Sequence, residues 1–170
     1  LAVRTATGSA TSAVMITETT AVAAVTSTTR ALPAAARLLD LPDTPMKGEA
    51  TWWFAAESAP SELGCLVLPG ESAGPLIDTA VVSNAAPSYA PDGRALIQAT
   101  ALLPRGAELP AEADVRRQLG TIWSADTAAW DLLTVHEVRR ALPEQPPGLV
   151  TDRPAALGDG LYVCGDHRTN

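Results

Sequence analysis

Leu76-Ile77-Asp78-Thr79-Ala80-Val81-Val82-Ser83 and Arg94-Ala95-Leu96-Ile97-Gln98-Ala99-Thr100-Ala101-Leu102 flank Tyr89-Ala90-Pro91-Asp92-Gly93. Both flanking runs carry the aliphatic and β-branched residues that suit a pleated, half-buried surface. The five residues between them carry turn chemistry. Pro91 presets φ, Asp92 offers a side-chain acceptor, and Gly93 accepts a positive φ. The two runs are therefore expected to be strands paired antiparallel across the turn.

Working outward, strand signals dominate the centre of the chain. Glu49 to Ala56 holds Trp52, Trp53 and Phe54. Neighbours along a strand face opposite ways, so Trp53 faces one side of the sheet and Trp52 with Phe54 the other. Leu63 to Leu68 reads as a strand closed by Pro69-Gly70, and Trp130 to Val138 as another. Pro110 to Trp123 reads as the best helix. Pro110 suits a first turn, Glu112 and Asp114 favour the positive N-terminal end, and Val115, Leu119 and Ile122 recur as one apolar stripe. Upstream, Thr11 to Thr17 and Ala21 to Ser27 have strand composition. Pro33 to Leu41 reads as a short helix stopped by Pro42 and Pro45. Leu142 to Leu157 is a proline-rich connector leading to a last apolar run, Leu161 to Cys164. The predicted class is α+β: a mainly antiparallel mixed sheet with two helices, plus a terminal strand that belongs to another sheet, since its amides and carbonyls must be paired once buried.

Composition bounds the function classes. The 170 residues suffice for one ordinary domain with a real core. A formal charge of −7 gives no electrostatic reason to bind nucleic acid or an anionic membrane. Neither partner is expected, and no apolar stretch is long enough for a membrane span. No signal peptide is visible, so a cytoplasmic protein is expected. The first residue is Leu1 rather than Met, which reads as a processed or truncated product. Cys65 and Cys164 lack metal-ligand spacing and both fall in predicted strands, so buried reduced thiols and no metal are expected. No Ser/His/Asp set and no phosphate-binding loop is present to carry a hydrolase or a kinase.

The chain ends Gly160-Leu161-Tyr162-Val163-Cys164-Gly165-Asp166-His167-Arg168-Thr169-Asn170. A strand ending on Gly-Asp presents backbone amides and a carboxylate to a polar ligand. The glycine permits close approach, and the carboxylate accepts hydrogen bonds from hydroxyls. This run resembles the second flavin-binding motif of FAD-dependent oxidoreductases of the flavin-containing amine oxidase and phytoene desaturase type. Trp52-Trp53-Phe54 is similar to the strand opening of that family's substrate-domain sheet. Val81-Val82-Ser83-Asn84 and Tyr89-Ala90-Pro91-Asp92-Gly93-Arg94 resemble its next hairpin, and Ala141-Leu142-Pro143 resembles the element before the last flavin motif. The likeness spans about Ala50 to Asn170, and the order of the motifs makes it persuasive.

The resemblance implies three segments. Residues 1–45 would be partial flavin-domain-like strands and a short helix, 46–157 a substrate-binding-domain-like sheet and helix, and 158–170 the start of a C-terminal FAD motif. The terminal strand would then belong to an FAD-binding α/β domain that is mostly absent. Two departures stand against this. Val25-Thr26-Ser27-Thr28 occupies the place of a flavin-contacting strand but lacks its Ala-Thr pair. The Gly-x-Gly-x-x-Gly that carries a pyrophosphate is also missing. The remaining FAD-binding portion of the parent, in the same or another chain, is thus an expected partner, with a small organic substrate as the ligand.

The resemblance implies cofactor contact for Gly165, Asp166 and His167. On the residues alone, Asp166 is also readable as an exposed turn aspartate, and His167 or Arg168 as surface residues. Trp53 and Tyr89 are the substrate-pocket candidates, with packing as the alternative for each. His136 is read as a structural histidine, and no catalytic residue is assigned. The expected function is part of an FAD-dependent oxidoreductase acting on a C–N or C–C bond. The alternative is a non-enzymatic binding or interaction domain on the same scaffold.

Overall fold

The computed structural model describes residues 12–18, 21–27, 45–70, 74–90, 93–148, 153–158 and 161–164. The expected helix at Pro33 to Leu41 falls outside them, as do Gly165, Asp166, His167 and Arg168. The fold is α+β, with two four-stranded sheets among the described residues. The chain divides into two compact units, Gly48–Arg139 and a second formed by Leu1–Lys47 with Arg140–Asn170.

The second unit holds β1 (Ser12–Glu18), β2 (Ala21–Ser27), β7 (Ala156–Gly158) and β8 (Leu161–Cys164), in the order β2-β1-β8-β7. Every pairing in this sheet is antiparallel. The terminal strand β8 does belong to a sheet other than the central one. It pairs with β1, in the register Met15 to Tyr162 and Val14 to Val163, and with β7 on its other side. Val163 is buried and its N–H donates to Ala155 O at 2.8 Å.

The larger sheet contains β3 (Met46–Ala56), β4 (Leu76–Val81), β5 (Ala95–Leu103) and β6 (Asp131–Pro143), in the order β4-β5-β3-β6. The hairpin that the sequence announces is present: β4 and β5 pair antiparallel, Val81 opposite Ile97 and Thr79 opposite Ala99. Gly93 adopts φ of 71°, the conformation its turn requires. β3 pairs antiparallel with the other side of β5, Trp52 opposite Ala99 and Phe54 opposite Ile97. On the far side of β3, Glu144 N–H donates to Pro45 O, and a Cβ on Gly48 would lie 3.1 Å from Val138 O. Those two contacts make β6 antiparallel to β3.

One face of this sheet carries the core. Trp52, Phe54, Ile97, Ala99, Ala101 and Val81 are all buried. Against them pack Val115, Leu119 and Trp123 of α2 (Glu112–Trp123), the stripe whose helical spacing the sequence shows. Glu112 and Asp114 sit in the helix's first turn as expected, although the helix starts two residues beyond Pro110. Arg116 lies over the Phe54 ring at 4.8 Å while its Nε donates to Glu112 Oε1, so its stem covers the edge of the core and its head stays paired. Trp130 closes the same edge, its ring 6.1 Å from that of Phe54.

Thr79 ties strand to helix within this core. Its Oγ1 donates to Gln98 O at 2.6 Å and accepts from Trp123 Nε1 at 3.2 Å. Thr79→Val keeps the shape but removes the acceptor from a buried indole N–H. The expected loss is about 1–3 kcal/mol, read as a lower urea midpoint with unchanged slope. A midpoint within error of the parent would refute the bond's contribution.

Three sequence expectations need correction. Leu63 to Leu68 is not a strand: only Val67 bridges β4, exchanging two backbone bonds with Thr79. The carbonyls of Ser61 and Leu63, where the run begins, are instead satisfied by Asn84 Nδ2. Cys65 is accordingly an exposed free thiol rather than a buried one. Val82 and Ser83 leave the strand early to form a single-turn helix, α1 (Val82–Ala85). A 3-10 turn, Pro87–Tyr89, follows it.

Candidate functional site

The face of the larger sheet opposite α2 carries the residues that alternate with the core. The register places Thr51, Trp53 and Ala55 of β3 beside Thr100, Gln98 and Leu96 of β5. Asp78 and Ala80 of β4 continue the face. One part of it is polar. Gln98 Nε2 donates to Asp78 Oδ1 at 3.0 Å and also to Thr100 Oγ1, which fixes the amide and occupies the Asp78 carboxylate.

The other part is an apolar pocket of about 380 Å³, lined by Trp53, Tyr89, Leu96, Leu133, Thr134 and His136. The strand order accounts for its shape. Trp53 stands on β3 between β5, which supplies Leu96, and β6, which supplies Leu133, Thr134 and His136. Tyr89 arrives from the 3-10 turn that follows β4 and is 67% exposed. Arg94 fixes the far end of the hairpin by donating to Ala55 O and pairing with Asp131 Oδ2 at 2.6 Å. Trp53 Nε1 is buried and has no hydrogen-bond partner. An indole N–H left so is an uncommon feature that a packed core normally satisfies.

The two pocket candidates named from the sequence, Trp53 and Tyr89, thus line one cavity. His136, read from sequence as structural, is exposed and lines it too. Thr134, Leu133 and Leu96 carry no sequence signal of their own, because only the strand order brings them to Trp53. The signal available for His136 was its spacing: Thr134 and His136 are two apart on one strand and share a face. The strand preceding Gly165, Asp166 and His167 is β8, which is paired on both sides and ends at Cys164, one residue before that motif. Among the described residues no group of acidic, histidine or cysteine side chains could hold a metal ion. No described helix is long and apolar enough to cross a membrane.

The pocket's lining contains no carboxylate, ammonium or guanidinium group. Its aromatic and aliphatic surfaces can bind and orient a small apolar molecule, and Thr134, His136 and Tyr89 add hydrogen-bonding groups at its side.

No protein-family model and no curated protein matches the sequence. Among solved structures, the fold is similar to that of an oxidoreductase from Methanosarcina mazei, with a TM-score of 0.50 at 19% identity, over 79% of this chain and 32% of that one. At that identity the likeness is one of fold alone. The chain spans about a third of the length of that protein.

Proposed function

We propose that this chain is part of an FAD-dependent oxidoreductase of the amine oxidase or desaturase-like kind, which oxidises a C–N or C–C bond of a small organic substrate. The observation that carries the reading is the apolar pocket beside Trp53 and Tyr89, on the sheet face left open by α2. It lies in the segment whose motif order resembles that family's substrate domain. The oxidoreductase from Methanosarcina mazei supports the general class through its similar fold. Leu63, Leu66 and Leu68, exposed by 50%, 57% and 70%, add support for a larger parent, since apolar surface gathered in one short segment is commonly covered by more protein.

In this reading Trp53, Tyr89, Leu96 and Leu133 offer the substrate apolar contact and orient it. Gly165 would offer close backbone approach to FAD, Asp166 would accept hydrogen bonds from its hydroxyls, and His167 would be a further contact. The strand β8, which precedes that motif in the chain, is paired on both sides. The chemistry that bound FAD would supply is acceptance of a hydride or its equivalent. The missing Gly-x-Gly-x-x-Gly favours a second reading, a non-enzymatic binding domain on the same scaffold. In the first reading the pyrophosphate grip comes from the rest of the parent, and this chain alone binds FAD poorly.

The test is the visible absorbance of the protein as purified, with every polypeptide identified by intact mass. Flavin bands accompanied by a longer or a second chain are expected, with Asp166→Ala lowering the flavin content about tenfold or more, the loss of charge-assisted hydrogen bonds. A stable, single 170-residue species without flavin would remove the enzymatic reading.

A further inference from the structure

The chemistry of the pocket wall limits what can occupy it. The six lining residues carry no fixed charge, and four of them present aromatic or aliphatic surface. Of the acidic side chains near this sheet face, Asp78 is two strands away from Trp53 and already accepts from Gln98 Nε2, Glu49 is four residues along β3, and Asp131 already pairs with Arg94. An ammonium or carboxylate seated against Trp53 finds no unpaired charge of opposite sign among the lining residues, so the part of its hydration that it loses is not replaced by an ionic partner.

The wall is also asymmetric. Trp53 stands in the middle on β3. Leu96 borders it on the β5 side, whereas Thr134 and His136 border it on the β6 side. Leu133 of β6 adds hydrocarbon beside them, and Tyr89 comes from the turn after β4. A flat molecule lying across the indole therefore reaches two hydrogen-bonding side chains of one strand at its β6 end.

We infer that this pocket takes an uncharged, planar, largely apolar molecule bearing one hydrogen-bonding end, seated across Trp53 with that end toward Thr134 and His136. The inference rests on the proposed oxidoreductase reading for what is done to the molecule, and on the pocket alone for which molecule binds. It selects against substrates that arrive as protonated amines or as carboxylates, and it makes Thr134 and His136 the residues that set specificity.

The experiment uses four probes of one shape on the full chain: 2-naphthol, naphthalene, 2-naphthylmethylammonium and 2-naphthoate. Binding is followed by ligand-observed NMR, with Trp53→Ala as the control for the site. The neutral rings should bind about tenfold or more tighter than the charged ones, the consequence of uncompensated desolvation. The naphthol should exceed naphthalene by about fivefold, one net hydrogen bond. In the double variant Thr134→Val with His136→Ala, both exposed positions, that advantage should vanish while naphthalene binding is kept. Equal binding of the ammonium probe, an unchanged naphthol advantage in the double variant, or no saturable binding lost with Trp53→Ala would each overturn the inference. The flavin spectrum of the same sample reports separately on the oxidoreductase reading. Neutral-ring binding in a flavin-free, single-chain sample removes that reading and leaves the ligand class standing.

Discussion

Trp52→Ala is expected to destabilise the Gly48–Arg139 unit by about 3–5 kcal/mol, whereas Trp53→Ala, one residue along, costs less than about 1 kcal/mol. The contrast follows from the strand's period of two. Trp52 is 1% exposed and sits in the core with Phe54, Ile97 and the α2 stripe. Removing its ring leaves a cavity that a sheet on one side and a helix on the other cannot collapse. Trp53 is only half-buried, faces the pocket, and carries an indole N–H that has no partner to lose. Its removal opens the pocket and is expected to abolish the binding of flat apolar probes.

Urea unfolding followed by tryptophan fluorescence checks this on the correct part of the chain, because all four tryptophans, at 52, 53, 123 and 130, lie within Gly48–Arg139. A two-state fit is needed only for that unit, which avoids assigning one free energy to both. Similar losses for the two alanine variants would mean that the two faces of β3 are energetically alike, and the core assignment would fail.

The same strand shows what the sequence could and could not disclose. The alternation through Trp52, Trp53 and Phe54 is local information, and so are the turn chemistry of Pro91-Asp92-Gly93 and the stripe Val115, Leu119, Ile122. All three are legible without coordinates because each is decided by neighbours within one turn or one pleat. Leu63 to Leu68 has strand composition too, yet Asn84, far downstream, takes the carbonyls of Ser61 and Leu63 where the run begins, and only Val67 bridges the sheet. Composition cannot register a competitor so far along the chain. The pocket has the same limitation. Trp53 and Tyr89 stand out as aromatics, but His136 joins them only because β6 pairs with β3 rather than with β4, a non-local fact. Gly165 and Asp166 are read only from the strand-to-Gly-Asp pattern, and they lie outside the described residues, which end at Cys164.

The second large effect is expected where helix meets edge strand. Gln118 is 2% exposed and grips the backbone of Leu76 from both sides: its Oε1 accepts from Leu76 N–H at 2.7 Å, and its Nε2 donates to Leu76 O at 3.2 Å. Leu76 begins β4, an edge strand of the sheet, so the side chain of α2 stands in for a neighbouring strand. Gln118→Ala leaves both backbone groups buried and unpaired, which is expected to cost about 2–4 kcal/mol. Gly74 completes the clamp. A Cβ there would lie 2.1 Å from Gln118 Oε1, and Gly74 holds φ of 156°. Gly74→Ala must therefore push the amide away from Leu76 and is expected to cost nearly as much as losing the amide itself. The two changes act through one contact, so they should not add. Gly74→Ala in the Gln118→Ala background is expected to cost at least about 1 kcal/mol less than in the parent, the residue being backbone strain only. Strictly additive losses in that cycle would show that Gly74 is needed for its own conformation and that the amide clamp does not hold β4 to the helix.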